Sequence, residues 1–352
     1  MIVISARSPY QIIINEIGQT GSKVELFIWN KGTTEPTIPT YTMSESIASV
    51  TQTETNYNIS PYVLEYINPI NSIAVAGITN ESNTDWCLVK VKRYKIVGTT
   101  VTLLNTFSYV GVNGFTEVSD GLNYDKTSGE NYLLLSNSNL KNQWYSSATF
   151  YNFLVQRDAL QWSVNYYNSV GTLLYSQIFL TSGATEYYNF KIPLVYTSSV
   201  KIQIVNDVDG IIYTINTEQL EECKYTPVNC SFVNSYGGWQ NLVFFKAQSN
   251  SINIKGSEYS LLSKSVNYNP LQGQRKSFNI NGMQTVKLNT GFVDENYNEL
   301  ILDLMMSETV LLNNIPVNVK TQSLTYKTHL KDKNINYEVE FEYANNLLNN
   351  IV

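Results

Sequence analysis

The chain has little of what hydrolases, metalloproteins and nucleic-acid binders are usually built from. Its 352 residues include one histidine, His329, and three cysteines, Cys87, Cys223 and Cys230. His329 sits between Thr328 and Leu330 in an alternating stretch and reads as a half-exposed strand residue, which argues against a catalytic triad or a zinc centre. Cys223 and Cys230 are close enough in sequence to pair. The count is odd and no CxxC spacing is present, and the cytoplasmic origin expected below predicts reduced, semi-buried thiols. Charged residues make up 15% of the chain, with a net charge of −6, against about a quarter in an average protein. No run of Lys or Arg is long enough to neutralise a phosphate backbone, so sequence-specific DNA or RNA binding is not expected.

Other signals are missing too. No apolar stretch approaches the roughly 20 residues that span a bilayer, which predicts a soluble protein without a membrane-spanning segment. The opening "MIVISARSPYQIII" is broken by Arg7, Ser8 and Pro9 and lacks a signal peptide's apolar core, so synthesis in the cytoplasm is expected. The sequons at Asn58, Asn80 and Asn229 then carry no weight. There is no Walker loop and no GxGxxG. "NDVDG" at 206–210 offers Asp207 and Asp209 before a glycine, as a calcium loop does, but Thr214 to Thr217 contains no closing acidic residue, so a hairpin turn is expected. A glycosidase's two carboxylates would meet only in the fold, and the order of residues nominates none. The chain is read as non-enzymatic, with no catalytic residue, metal or cofactor.

Amides, hydroxyls and aromatic rings fill the gap, with 26 Tyr and 13 Phe. Tyr and Thr favour pleated surfaces and Asn favours turns, so the chain reads as mainly β with polar loops. At about 150 residues per domain, two or three modules are expected. In the first, 1–140, "YQIIINE", "SKVELFIWN", "SPYVLEYI", "DWCLVKVKRYKIV" and "TTVTLLNTFSYV" read as strands of a β-sandwich, with a tight hairpin at Gly98 and Thr99. Positions 111–131, rich in Gly, Asn, Asp and Ser, read as a long exposed loop of the kind that carries binding residues. The second, 141–222, packs six or seven short strands into some 80 residues, as an immunoglobulin- or fibronectin-like sandwich does, with Trp162 as the core tryptophan.

The third module, 223–352, contains the one helical pattern. In "DENYNELILDLMMS", Tyr297, Leu300, Ile301, Leu304 and Met305 form one apolar stripe, which predicts a helix at about 294–306 with Asp294 as its N-cap. The closing "NINYEVEFEY" alternates strictly as a strand. Ile335, Tyr337, Val339, Phe341 and Tyr343 line one face, and Glu338, Glu340 and Glu342 stand about 7 Å apart on the other. That row is the candidate site: it faces a channel, a cleft between subunits, or plain solvent. In a further alternative it pairs with Lys327, Lys331 or Lys333 on a neighbouring strand. The aromatic wealth also raises stacking on sugars, although most rings sit at alternating strand positions where packing puts them.

The stretches "ECKYTP" (222–227), "YGGWQNLVFFK" (236–246), "GQRKSFNING" (273–282), "NTGFVDENYNELILDLMMSETVLL" (289–312) and "LKDKNINYEVEFEYA" (330–344) resemble the C-terminal region of structural proteins of Bacteroidetes phages and prophages, including crAss-like phages. "MIVISARSPYQIIINEIGQTGSKVELFIWN" resembles the N-terminus of the same proteins. The resemblance covers about a third of the chain and implies a virion protein of the tail, hub, neck or baseplate with no catalytic residues. It further implies a homo-oligomeric ring that contacts other tail or neck proteins and lets genomic DNA pass without binding it specifically. The expected fold is tandem immunoglobulin-like β-sandwich domains followed by a β-rich domain with one flanking helix, similar to tail-tube and hub subunits. The competing function is a surface adhesin or glycan-binding module on a virion or bacterial cell.

Overall fold

The computed structural model describes residues 1–49, 52–70, 78–80, 84–137, 142–145, 150–157, 160–181, 186–194, 199–221, 224–261, 271, 273–323, 325 and 335–349. It is mainly β, with several separate sheets and two α-helices among the described residues. By internal contacts the chain forms two compact units. One is Met1–Glu221 with Ser231–Leu242, and the other is Glu222–Cys230 with Val243–Val352.

The first unit opens with β1 (Val3–Ser5), β2 (Gln11–Ile14), β3 (Gly21–Trp29), β4 (Tyr41–Ser46), β5 (Thr55–Asn58), α1 (Ser60–Leu64), β6 (Thr79–Asn80), β7 (Trp86–Val97) and β8 (Thr100–Val112). Five of these make a sheet in the order β1-β8-β7-β3-β4, and β2 pairs separately with β5. Strict alternation drives the packing: Val24, Leu26 and Ile28 of β3 point into a core that also receives Ile12, Ile14, Tyr57, Val63 and Cys87. Within it, the Tyr57 hydroxyl lies 2.6 Å from Ser22 Oγ, tying the large sheet to the small one through a satisfied buried pair. Burial raises the Cys87 thiol to about 12, so it stays protonated and inert. Cys230 is also a free, buried thiol, and Cys223 lies outside the described residues. The turn at Gly98 and Thr99 joins β7 to β8 as expected, with Val97 opposite Thr100.

"SPYVLEYI" is a correction, because its start is α1 and not a strand. Pro61 lies in the first helical turn, where its missing N–H costs nothing, and Asn58 Oδ1 accepts the Ser60 N–H at 3.3 Å. The 111–131 loop is also less free than expected. Asn123 Oδ1 accepts the Gln11 N–H at 2.7 Å and its Nδ2 donates to the Gln11 carbonyl at 2.8 Å, so a loop amide completes the edge of β2.

The next strands are β9 (Tyr132–Leu134), β10 (Asn142–Trp144), β11 (Phe150–Gln156), β12 (Trp162–Tyr167), β13 (Leu173–Leu180), β14 (Tyr187–Pro193), β15 (Lys201–Asn206) and β16 (Gly210–Gln219). They form two sheets, β6-β14-β11-β9 and β10-β16-β15-β12-β13. Tyr151, Phe153, Val155, Phe190 and Ile192 of one face Trp162, Val164, Tyr166, Ile202, Ile204 and Ile215 of the other, a sandwich-like core. Trp162 is fully buried, with the rings of Phe153 and Tyr132 each 5.3 Å away. "NDVDG" is the β15–β16 turn, where Asn206 Oδ1 accepts the N–H groups of Val208 and Asp209.

The two strand sets repeat one plan. In each, the first strand of the five-stranded sheet (β1, β10) lies parallel to the last (β8, β16), followed in order by β7, β3 and β4 or by β15, β12 and β13. The antiparallel pairs β2–β5 and β11–β14 hold equivalent places in the second sheet of each set. The position 140 boundary falls just after β9, whose Leu134 already belongs to the second core. A smaller cluster of Val3, Trp86, Val110 and Val112 with Leu133, Leu135 and Leu154 joins the two sets within the unit.

The hairpin of β17 (Val228–Val233) and β18 (Trp239–Phe244) sends its turn into the same unit. Asn234 is fully buried there. Its Oδ1 accepts the N–H groups of Tyr236 and Gly238 at 3.0 and 3.1 Å, and its Nδ2 donates to the Leu135 carbonyl at 3.2 Å. Gly238 is required by space: a Cβ there would lie 2.2 Å from the Leu135 carbonyl oxygen.

In the second unit follow β19 (Ser249–Ser260), β20 (Arg275–Val293), α2 (Tyr297–Met306), β21 (Val310–Leu312), β22 (Ile315–Val319) and β23 (Ile335–Tyr343). The sheet order is β18-β17-β21-β22-β23-β20-β19. Tyr297, Leu300, Ile301 and Leu304 are the buried side of α2, as their spacing predicts, while Met305, the fifth residue of the stripe, is only half-buried. The start of α2 is corrected: its N-cap is Asn296, and Asp294 instead shapes the preceding turn, its Oδ1 accepting the Asn296 N–H at 2.9 Å. Asn313 and Asn314, both at positive φ, make the two-residue β21–β22 turn.

Leu304 has no exposed surface, so Leu304→Ala is expected to cost about 2–5 kcal/mol through lost burial and a residual cavity. Gly238→Ala is expected to destabilise the first unit by about 1–3 kcal/mol, because the added methyl meets backbone that cannot rotate away. Urea denaturation of each variant against wild type checks both.

Candidate functional site

The acidic row is positioned by β23, which lies between β22 and β20. Burial alternates as the sequence demands: Ile335, Tyr337, Val339 and Phe341 are buried, Glu338 and Glu340 are exposed, and Glu342 is intermediate. Phe341 meets Phe244 edge to face at 5.6 Å, and the Tyr337 hydroxyl hydrogen-bonds Asn298 of α2. These anchors hold the strand in one register, so the three carboxylates share one face. A one-residue slip would bury them.

Register decides what the glutamates meet. Across β20, Glu338 lies opposite Asn289, Glu340 opposite Lys287 and Glu342 opposite Thr285; across β22, Glu342 lies opposite Asn318. The Lys287 ammonium forms an ion pair with Glu338, both side chains half exposed, and Asn289 Nδ2 donates to the same carboxylate at 3.4 Å. Lys320 Nζ lies 2.6 Å from Glu342, whose side chain is only 15% exposed. The Glu340 N–H donates to Thr321 Oγ1 at 2.8 Å. Two lysines thus offset two of the three carboxylates, so the row is not the uniform negative stripe that the sequence pattern implies. Lys327, Lys331 and Lys333, which spacing nominated as partners, lie outside the described residues, as does His329. Lys287 and Lys320 went unnominated because strand pairing, not sequence distance, brings them to the row.

Electrostatics follow from this geometry. The hydrogen bond from Lys287, with Asn289 adding to it, holds the Glu338 carboxyl below its ordinary range, and the same pair raises the Lys287 ammonium. Beside β23 a cleft of about 160 Å³ is lined by Ile301 and Met305 of α2, by Asn336, Tyr337, Glu338 and Val339, and by Thr321, Ser323 and Thr325, so Glu338 of the row borders it. Among the described residues no three His, Cys, Asp or Glu side chains converge as a metal site, and no helix is long and apolar enough to cross a membrane. Of the aromatic rings that raise stacking on sugars, Tyr151, Phe153 and Tyr166 are core residues, whereas Tyr124, Tyr145 and Tyr259 are exposed.

The Glu338 carboxyl is depressed in the fold, so its stabilisation is present above the ordinary carboxylate pKa and disappears as pH falls through the depressed value. Lys287 is raised, so its share is lost as pH rises through its own raised value. Glu338→Gln is therefore expected to cost about 1 kcal/mol or less near neutrality, as for an exposed pair, and nothing once acid has protonated the wild-type carboxyl. Urea denaturation of both proteins across pH 2–8 (roughly the window that carboxylate titration spans) reads the difference.

No protein-family model and no curated protein matches this chain in sequence.

Proposed function

We propose that this chain is a non-enzymatic structural subunit of a phage virion, assembling with copies of itself as a ring in the tail, hub or neck. The single observation that carries the assembly reading is the bare ribbon of β19 and outer β20. All twelve residues of β19 are exposed, as are 275–280 opposite them. A monomer that works alone has no physical use for so much uncovered strand. The phage assignment is supported by the resemblance of "YGGWQNLVFFK", "GQRKSFNING" and the other quoted stretches.

In this reading the first unit is a pair of immunoglobulin-like domains. A first strand parallel to the last, a five-stranded sheet facing a smaller one, and a buried tryptophan on the third strand of the second set support that assignment. The second unit, with its flanking helix, is the oligomerising domain, similar to tail-tube and hub subunits in parts alone. Glu338, Glu340 and Glu342 face the channel or a cleft between subunits. With Lys287 and Lys320 among them, the row repels phosphate weakly and offers no basic trap for passing DNA.

Purified virions labelled with antibody to this chain, viewed by electron microscopy, test the assignment. Labelling of a tail, hub or neck ring is expected, and absence of the chain from particles overturns it. Within particles, replacing Glu338, Glu340 and Glu342 together by Lys is expected to leave assembly intact and slow genome ejection. Normal ejection would remove the row from the channel.

A further inference from the structure

Resting on that reading, we infer that the ribbon of β19 and residues 275–284 is a docking arm whose apolar face is covered by a second copy of this chain. β20 is flanked by β23 only as far as Thr285. Beyond it, the C-terminal segment makes a short contact: Leu347 N–H donates to the Gly282 carbonyl at 2.9 Å, and Asn281 bonds the backbone of Leu348. A Cβ on Gly282 would sit 2.9 Å from Leu347 Cδ1, so Leu347 covers the root of the ribbon; from Asn279 outward, among the described residues, the ribbon has no strand on either edge. Two strands alone in water are marginally stable, so an arm of this length needs cover.

The arm continues a face that is buried in the body of the sheet. Asn250 lies opposite Val286, which is buried; in the same alternation Ile252 lies opposite Gln284 and Ile254 opposite Gly282. A Cβ on Gly256 would sit 3.0 Å from Ile280 Cγ1, which places Ile280 on that face as well. Ile252, Ile254 and Ile280 are 57%, 68% and 45% exposed. Further out the register shifts between Lys255 and Ser257, and Tyr259 and Phe278, exposed and meeting edge to face at 5.6 Å, lie on the opposite face of the ribbon. The usual protections of a free edge are sparse: β19 has no proline, and its charges are Lys255 and Glu258.

Charge and area identify the occupant. The described residues of the arm hold Lys255, Arg275 and Lys276 against Glu258, a net +2, while the whole chain is −6, so the remainder carries −8. A cationic, apolar arm is complementary to the rest of its own chain, and a second copy supplies that surface at equal concentration. A twelve-residue ribbon is about 40 Å long and 10 Å wide, so each face covers roughly 400 Å². Two arms exchanged between two copies remove roughly 1,600 Å² from water, counting both partners, which is the size of a stable interface.

Sedimentation velocity of the full chain tests this with Ile254→Glu combined with Ile280→Glu, two exposed positions whose change leaves both cores intact. Wild type is expected to self-associate, and the double variant to show a dissociation constant about a hundredfold higher at an unchanged melting temperature. Equal association of variant and wild type overturns the arm as the contact while leaving the subunit reading in place. A monomeric wild type whose position 254, carrying a photo-crosslinking amino acid, links to a different virion protein overturns the second copy as occupant. Failure of the subunit reading itself shows separately, as absence of the chain from particles.

Discussion

Each described sheet commits at least one apolar face to burial, and the need to cover such faces organises the rest. Side chains on a strand alternate strictly, so a run such as Trp162, Val164 and Tyr166 commits a whole surface to burial at once. In the first unit the cover is a second, smaller sheet, used twice in the same strand order. In the second unit α2 supplies part of it, with Leu300, Ile301 and Leu304 buried. Where cover runs out, along β19 and outer β20, the same alternation leaves isoleucines bare.

The polar faces obey a second constraint, that of pairing. Glu338, Glu340 and Glu342 occupy alternate positions by sequence alone, yet their electrostatic character comes from Lys287 and Lys320 on the neighbouring strands. Exposed pairs of this kind add little stability. Their effect is to dilute the negative charge of the face.

Legibility in the sequence followed the range of the interaction. The long alternating runs, the Gly98 and "NDVDG" turns, the buried stripe of α2 and the burial of Trp162 all follow from spacing within a dozen residues, and the structure has each of them. "SPYVLEYI" was misread because Pro61 at a helix start outweighs the β-propensity of the residues after it. β1, β10 and other short strands are invisible locally, since Val3 pairs with Val110 and Asn142 with Thr217, far along the chain, and parallel pairing leaves no turn signature. "SINIKGSEYS" escaped notice as a strand because its polar residues and Gly256 mask the alternation of Ile252 and Ile254. The acidic row was visible, whereas its lysine partners depend on register.

The central claim is that the uncovered arm is completed by assembly while the two units are complete in themselves. Hydrogen–deuterium exchange of the full chain at low and high protein concentration tests it most directly. The expected result is rapid exchange along 249–260 in dilute solution and marked protection there on concentration, with β12, β15 and β23 protected throughout. Exchange along 249–260 that is independent of concentration, whether fast or slow, would contradict it.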